Sequence, residues 1–306
     1  MKSLNYFKSL SDVTRIRVYN ILLNYELSVN ELVQLLEMGQ SGISRHLKIL
    51  TNAGLLKCRR NGVWAFYSAD LSEGKKNFAD SVQNLFEEES ILNQDILLAE
   101  RVIAERSLET SQFFNTIAHK WDLLKLEIMG DFDLNTVILE NIDGGDIIAD
   151  LGCGTGELLS TLTVGEKKVI GVDSSSSMLE ETRKRFFNKN TALDLRLGEL
   201  EHLPLKDKEA EVAVISLALH HLSKPEVAII ETERILKPGG TLIIAEFEKH
   251  NNELLQKAYG DRWLGFTKNE VKGWLDENNF ITSSVKEYNV QQSLIIVVYK
   301  SIKKIK

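Results

Sequence analysis

The sequence predicts a two-domain protein of the α/β class, in which a small helical domain precedes a larger doubly wound domain. Its 306 residues are enough for two hydrophobic cores. A turn with Gly152, Gly154 and Gly156 follows a short apolar run, and strands and helices alternate from there onward. The first 70 residues carry nine Lys or Arg against five acids, in a chain of net charge −7. A basic module joined to an acidic body indicates polyanion binding by the first domain.

The composition is that of an ordinary globular protein, with 43% hydrophobic and 26% charged residues. Two cysteines, Cys58 and Cys153, provide neither a disulfide framework nor a thiolate cluster. No apolar stretch is long enough to cross a membrane, and the N-terminus lacks the apolar core of a signal peptide. We therefore expect a cytoplasmic protein with no membrane partner.

Two short helices joined through a glycine are predicted in the first domain. Two further helices are expected over residues 2–26, with Ser11 as an N-cap. Another helix covers residues 29–36 and is closed by Gly39, and the next begins at Gln40. In this last helix Ile43, Leu47 and Leu50 share a buried face, so its polar and basic residues point outward. This pattern is typical of a helix-turn-helix.

A β-hairpin is predicted directly after the helix-turn-helix. Residues 55–60 and 63–68 flank Asn61-Gly62, the strongest short hairpin signal, and Arg59 and Arg60 lie close to its tip. A helix-turn-helix followed by such a hairpin is a winged helix.

The stretches LSDVTRIRVYNILL and LSVNELVQLLEMGQSGISRHLKILTNAGLLKCRRNGVWAFYS are similar to the ArsR family of bacterial winged-helix repressors. The resemblance covers nearly all of residues 1–70 and implies a homodimer on palindromic double-stranded operator DNA. It places residues 40–48 in the major groove and the hairpin near the backbone. His46 is assigned no base contact. The expected DNA-binding residues are Gln40, Ser41, Ser44, Arg45, Lys48, Arg59 and Arg60. The alternative is a winged helix used only for protein contacts.

Many ArsR relatives sense metal through two cysteines in an E-L-C-V-C-D-L pattern. Here Ser28 and Asn30 replace both thiols, and hydroxyl and amide groups bind soft metals poorly. We therefore expect no metal site. A carboxylate-rich site near Glu87 and Asp95 stays open, although no histidine lies between His46 and His119.

The glycine-rich turn DIIADLGCGTGELLS indicates a ligand that carries a ribose but no phosphate. Asp150 precedes the glycines, and Asp173 stands 23 residues further on, at the end of the next strand, where a carboxylate can hold ribose hydroxyls. The dinucleotide pattern needs a small residue at position 157, but the chain has Glu157, which would repel a diphosphate.

The motifs ADLGCGTGELL, VDSSSSML, LGELEHLPL, AEVAVISLALHHL and LKPGGTLIIAEF look like those of class I S-adenosylmethionine (SAM) methyltransferases. This resemblance implies a Rossmann-like seven-stranded sheet with an antiparallel last strand, SAM as cofactor and S-adenosylhomocysteine as product. The strands are expected over residues 147–151, 168–172, 192–197, 212–216, 241–247, 283–288 and 294–299, with a helix over 175–187 and a turn over 237–240.

The same resemblance implies roles for individual residues. Asp150, Gly152 and Gly154 line the methionine part, Asp173 binds the ribose, and Ser174 with Met178 borders the adenine. The family usually has aspartate, which accepts the adenine amino group, where this chain has Glu199; the glutamate keeps the carboxylate on a longer side chain. The full expected cofactor-binding set is Asp150, Gly152, Cys153, Gly154, Gly156, Asp173, Ser174, Met178, Glu199, Leu200 and Ser216.

Residues 71–128 are expected to be a helical connector between domains 1–70 and 129–306. Its first part should be the dimerisation helix, and residues 112–122 resemble the segment that covers the SAM site in many methyltransferases. For Phe113 and Trp121 the alternative is ordinary core packing. A helical rather than Gly/Ser-rich connector could pass movement from one domain to the other.

Methyl transfer needs no fixed catalytic residue, so no motif identifies one, and His220 and His221 are candidates by their position alone. His220 and His221 follow the fourth strand, and one could act as general base, although adjacent histidines are more often structural. Arsenite methylation would need further cysteines. Three functions remain: a small-molecule methyltransferase fused to a repressor, a repressor that senses SAM or S-adenosylhomocysteine without turnover, and a nucleic-acid methyltransferase. The third is disfavoured because adenine-methylation and prolyl-cysteine motifs are absent.

Overall fold

The computed structural model describes residues 2–61, 64–72, 74–86, 89–163, 167–187, 193–253, 255 and 259–305. The chain forms two compact units, Met1–Arg106 and Ser107–Lys306. The boundary between them lies inside the segment expected as the connector. Within the described residues, no helix has the length and apolar character needed to cross a membrane.

The first unit contains four short helices, a small sheet and the start of a longer helical pair. Its three strands lie in the order β1-β3-β2, and both pairings are antiparallel. The elements are α1 (Lys2–Ser9), α2 (Val13–Asn24), β1 (Leu27–Ser28), α3 (Val29–Leu36), α4 (Gln40–Asn52), β2 (Leu56–Asn61), β3 (Trp64–Ala69), α5 (Lys76–Phe86) and α6 (Ser90–Ile117), which continues into the second unit.

Two helix boundaries differ from those predicted. The N-cap of α2 is Asp12, whose Oδ1 accepts the Arg15 amide at 3.0 Å, because the Ser11 hydroxyl instead donates to the Lys8 carbonyl. The helix α3 ends at Glu37 in the left-handed conformation (φ 52°), so Gly39 does not close it but is the N-cap of α4.

The buried face predicted for α4 is confirmed, since Ile43, Leu47 and Leu50 have no exposed surface. They pack in the core of the first unit with residues from α2 and α3. In the hairpin, Asn61 belongs to β2 and pairs with Trp64. The predicted turn residue Gly62 lies outside the described residues.

The second unit is a doubly wound α/β domain. It contains the end of α6, α7 (Trp121–Met129), α8 (Leu134–Glu140), β4 (Ile147–Leu151), α9 (Glu157–Leu162), β5 (Lys168–Asp173), α10 (Ser176–Phe186), β6 (Leu193–Leu197), β7 (Ala210–Ser216), α11 (Pro225–Ile235), β8 (Leu236–Phe247), α12 (Lys268–Glu277), β9 (Phe280–Asn289) and β10 (Ile295–Lys303), with single 3₁₀ turns at Ala118–Lys120, Leu219–His221 and Gln291–Ser293.

The seven strands lie in the order β6-β5-β4-β7-β8-β10-β9. The first five strands in this order, β6, β5, β4, β7 and β8, pair in parallel, whereas β10 is antiparallel to both β8 and β9. This confirms the predicted Rossmann-like sheet. The carboxyl ends of β4, β5 and β7 meet at one edge, where ligands bind in open α/β sheets.

One predicted turn is part of a strand. Residues 237–240 lie within β8, and the pairing between β7 and β8 shifts register between Ala210 and Val212. Gly239 adopts φ 77°, a conformation that glycine tolerates because it has no side chain. The strand β8 can therefore start at Leu236, before the register shift.

Candidate functional site

A cavity lies at the carboxyl ends of β4, β5 and β7, and nine of the eleven residues expected at the cofactor line it. These are Asp150, Gly152, Cys153, Gly154, Asp173, Ser174, Met178, Leu200 and Ser216. Gly156 and Glu199 are not part of the lining. Gly156 instead begins α9 at φ 75°, where a Cβ would stand 2.6 Å from the Thr182 side chain. Its role is to let the loop pack against α10.

The glycine loop is fixed by backbone contacts. The amides of Gly152 and Cys153 donate to the Val172 carbonyl at 2.8 and 2.9 Å. Gly152 adopts φ 82°, and a Cβ there would lie 2.9 Å from Ala218. A side chain at this position would therefore close the approach to the backbone. The Cys153 thiol is buried, which raises its pKa well above the usual value.

Asp173 is held by two backbone amides. Its Oδ2 accepts the Gly154 amide and its Oδ1 accepts the Ser175 amide, both at 2.8 Å. Burial raises the pKa of Asp173 to about 6, although these two hydrogen bonds act in the opposite direction. Each carboxylate oxygen keeps further acceptor capacity, so the group can accept hydrogen bonds from a pair of hydroxyls.

Asp150 is the unsatisfied group of the cavity. It is 2% exposed, and its Oδ2 has no hydrogen-bond partner among the described residues. Burial raises its pKa to about 7, which the positive charge of Lys125 partly opposes. A buried carboxylate without a partner is stabilised when a ligand brings a cationic or donor group to it. The ammonium group of SAM has this character, so the residues present fit that cofactor.

The end of α6 and the start of α7 contact the loops around the cavity. The Ser111 hydroxyl donates to the Ser174 carbonyl at 2.9 Å, and the Ser175 hydroxyl donates to Asn115 at 2.7 Å. Trp121 lines the cavity together with Phe114, at 5.3 Å between ring centroids. Residues of the predicted covering segment thus lie at the cavity. Phe113 does not line it and packs against Gly260 instead.

His220 follows β7 and lies between two carboxylates. Its Nδ1 is 2.6 Å from Glu246, and its Nε2 is 3.5 Å from Asp261. All three side chains are buried. Burial lowers the pKa of His220, but the charges of Glu246 and Asp261 outweigh it and raise the pKa to about 9. Below that pH, His220 is a cation that neutralises one of its two neighbours.

His221 has a different environment from His220, although the two rings are 4.0 Å apart. Its Nδ1 is 3.2 Å from the Gly260 carbonyl oxygen, and its Nε2 is buried with no partner among the described residues. Burial, and then the charge of His220, lower its pKa well below the usual value. His221 is therefore neutral at physiological pH.

His220, His221 and Asp261 also have the residue types of a metal site, with one ligand atom each within 4.8 Å of the others. No metal was expected from the sequence, and this group was not predicted. Because protonated His220 has no free lone pair to offer a metal ion, we assign the cluster to proton chemistry. The carboxylate considered at Asp95 pairs with Arg17 at 2.7 Å, and Glu87 lies outside the described residues.

Glu246 and Asp261 were not predicted as site residues from the sequence. Glu246 could have been found, because it stands at the end of β8 and parallel strands end at the same edge of a sheet. Asp261 lies in an irregular segment with no periodic pattern, so only the folded chain brings it to His220.

In the first unit, the predicted DNA-contacting residues of α4 lie outward. Gln40, Ser41, Ser44, Arg45 and Lys48 are all exposed. These residues occupy the face opposite the buried core residues of the helix.

The two hairpin arginines differ. Arg60 is exposed, whereas Arg59 is half-buried, pairs with Glu26 at 2.7 Å and lies over the Phe66 ring. Arg60 is therefore the better placed of the two to reach a phosphate. The Nδ1 of His46 lies 3.7 Å from Asp12, which agrees with a packed rather than a base-reading histidine.

Comparison with known proteins identifies both parts of the chain. Residues 12–57 match the family described as "Bacterial regulatory protein, arsR family", and residues 149–244 match "Methyltransferase domain". The chain therefore carries an ArsR-family helix-turn-helix and a class I SAM-dependent methyltransferase domain. S-adenosylmethionine is the cofactor of that domain.

Among curated relatives, the "Ubiquinone/menaquinone biosynthesis C-methyltransferase UbiE" of Cellvibrio japonicus is 28% identical over 204 residues, covering 63% of this chain and 82% of that protein. An uncharacterized 37.1 kDa transposon protein of Streptomyces fradiae is 38% identical over 116 residues, covering 36% of this chain and 33% of its own length.

Among solved structures, the [4+2]-cyclase SpnF has a TM-score of 0.51 at 17% identity, covering 56% of this chain and 80% of its own. Geranyl diphosphate methyltransferase in complex with SAM has a TM-score of 0.50 at 13% identity, covering 55% and 84%. At such identities these structures show the fold alone.

Proposed function

We propose that the chain is a DNA-binding transcriptional regulator whose second unit transfers a methyl group from SAM to a small molecule. The observation that carries the methyltransferase part is Asp150, a buried carboxylate that lines the same cavity as Asp173 and whose Oδ2 has no hydrogen-bond partner in the described part of the chain. One carboxylate pairs with an ammonium group, and the other accepts hydrogen bonds from the ribose.

We assign the remaining contacts by family resemblance, and the four residues concerned all line the cavity. Gly152 and Gly154 would bring the backbone to the methionine part, and Ser174 with Met178 would border the adenine. Bound SAM supplies an electrophilic methyl group on a sulfonium. The protein's contribution is to hold donor and acceptor in line and to exclude water, which alone can supply a large part of the rate enhancement. Phe114 and Trp121 provide an apolar wall for this purpose.

The DNA-binding part rests on the exposed face of α4 and on the hairpin. We place α4 in the major groove, with Arg45 and Lys48 on phosphates or base edges, and Arg60 on the backbone. By family resemblance the regulator is a homodimer on a palindromic operator.

Two measurements test the methyltransferase part. Isothermal titration calorimetry measures SAM binding, and tritium transfer from methyl-labelled SAM to a low-molecular-weight cell extract measures turnover. Saturable binding with labelled small molecules supports the proposal. Absence of SAM binding would reject it, and binding without transfer would favour the second candidate, a receptor that does not turn over.

That second candidate is favoured by one feature of α6. The helix begins at Ser90 in the first unit, and near its end Ser111 and Asn115 hold the loop that follows Asp173. Ligand contacts in this loop could therefore bias the helix that enters the first unit, and so operator affinity.

The test is fluorescence anisotropy on a duplex selected by the protein from random DNA, at one fixed salt concentration. SAM and S-adenosylhomocysteine are titrated separately. Different shifts in DNA affinity mean that the protein senses methylation state. Equal affinity with and without either ligand would exclude coupling.

A further inference from the structure

We propose that His221 is the general base of the methyl transfer and that the acceptor is an uncharged molecule which presents a hydroxyl group to it. The inference rests on the proposed methyltransferase function and deepens it, because it separates two adjacent histidines and names the acceptor class. His221 is catalytic in this assignment, whereas His220 is a positioning residue.

The hydrogen-bonding environments of the two histidines assign their roles. Both ring nitrogens of His220 face carboxylates, Glu246 at 2.6 Å and Asp261 at 3.5 Å, so neither has a free lone pair. The Nδ1 of His221 faces a carbonyl oxygen at 3.2 Å and therefore carries the proton. Its Nε2 then keeps a lone pair. This atom is buried, has no hydrogen-bond partner among the residues that the structure describes, and belongs to a residue that lines the cavity.

The chemistry suits a weak, neutral base. As the acceptor oxygen forms its bond to the methyl carbon, the hydroxyl proton becomes strongly acidic. His221 Nε2 accepts that proton while the carbon–sulfur bond breaks and its electron pair stays on sulfur. The proton later leaves to solvent. A neutral imidazole adds no positive charge beside the sulfonium, and the imidazolium that forms has Asp261 at 3.8 Å from Nδ1.

The rest of the lining defines the charge of the acceptor. Among the described lining residues, the only Lys or Arg is Lys125, which pairs with Glu157 at 2.7 Å. The lining also holds Asp150, Asp173 and Asp261, and the charge of the lining cation His220 is already offset by Glu246 at 2.6 Å. An acidic or phosphorylated acceptor would therefore be repelled. Apolar and aromatic side chains complete the wall: Phe114, Trp121, Ile128, Met129, Leu222 and Phe247.

Two titratable groups of the described residues face His221: His220 lies beside it, and Asp261 lies 3.8 Å from Nδ1. Its other neighbours are uncharged: the Gly260 carbonyl lies at Nδ1, and the rings of Phe114 and Trp121 lie at 4.8 and 6.5 Å. Burial and protonated His220 hold the pKa of His221 low. Its base form is therefore available throughout the neutral range.

The first experiment needs no turnover. The full-length protein, labelled with ¹⁵N-histidine and saturated with S-adenosylhomocysteine, is titrated with phenol and separately with benzoate. We expect an Nε2 signal typical of an unprotonated nitrogen, absent in His221→Phe and unchanged in the exposed control His119→Ala. Phenol should shift this signal as it donates a hydrogen bond, and benzoate should not. No shift with phenol, or equal binding of benzoate, would overturn the proposal.

The second experiment measures methyl transfer from labelled SAM to a series of substituted phenols. His221→Phe should lose about a hundredfold in kcat, the usual contribution of a general base, with SAM affinity retained. His221→Gln should keep the phenol KM but not kcat, because an amide accepts a hydrogen bond without accepting a proton. Wild-type rates in either variant, or a requirement for added Zn²⁺, would refute the base assignment.

The two levels of the proposal fail separately. If labelled SAM modifies molecules in the extract but no phenol, the acceptor class is wrong and the methyltransferase function stands. If the protein does not bind SAM, the proposed function itself is wrong.

Discussion

Affinity for SAM should weaken as the pH falls from 7.5 to 6.0. Without ligand, burial raises the pKa of Asp150 to about 7 and that of Asp173 to about 6. Pairing with an ammonium group requires Asp150 to be ionised, so binding at lower pH must first displace a proton. For one site the affinity scales inversely with 1 + 10^(pKa − pH), which gives about eightfold for Asp150 and about twofold for Asp173. The expected total is roughly sixteenfold.

Calorimetry at both pH values, in two buffers of different ionisation enthalpy, measures the affinity and the number of protons released. Asp150→Asn is the matched variant, because it keeps the shape of the side chain and removes the titration. We expect Asp150→Asn to bind SAM more weakly at pH 7.5. Its affinity should then change by at most about twofold between the two pH values, because the roughly eightfold contribution of Asp150 is gone. The pH range stays above the isoelectric point of about 5.5.

A wild-type affinity that is equal at the two pH values would refute the reasoning. It would mean that Asp150 is already ionised without ligand, or that it does not pair with the ammonium group. An unchanged pH dependence in Asp150→Asn would locate the titrating group elsewhere.

Three further predictions concern packing, DNA and the ribose. Gly156→Ala should destabilise the protein in urea by at least about 1 kcal/mol, because Gly156 adopts φ 75° and a Cβ there would meet Thr182. The control Gly273→Ala places its Cβ in open space inside α12 and should stabilise the protein by up to about 1 kcal/mol. Equal effects of the two substitutions would contradict the loop geometry. Lys48→Ala should weaken operator binding and reduce the salt slope by about one if Lys48 contacts a phosphate, and an unchanged slope in anisotropy would exclude that contact. Asp173→Asn should weaken SAM binding by about tenfold to a hundredfold, the value of one charged hydrogen bond, and calorimetry with no loss would remove Asp173 from the ribose site.

The fold could be predicted because its signals are local. The strand–glycine–helix unit around Asp150 and the apolar positions of α4 are short-range patterns, and the structure has both. The boundaries were less reliable where two residues compete for one role. Ser11 and Asp12 can both cap a helix, and the choice depends on the Lys8 carbonyl that engages Ser11.

The site could be predicted only in part, for a physical reason. Residues on strand ends are placed by the sheet, so the position of Asp150 and Asp173 at the cavity could be predicted. Asp261 reaches His220 from a segment without regular pattern, and the difference between His220 and His221 depends on which neighbours are charged. Such contacts cannot be read from spacing along the chain.

The two cysteines make the native sequence convenient for spectroscopy. Cys153 is buried in the glycine loop with a raised pKa, so its thiol stays protonated and reacts slowly, whereas Cys58 is exposed on β2. A thiol-reactive dye should therefore attach at Cys58 alone, without any substitution. The hairpin of the first unit then carries a single reporter, and its emission can be followed while SAM or S-adenosylhomocysteine is added.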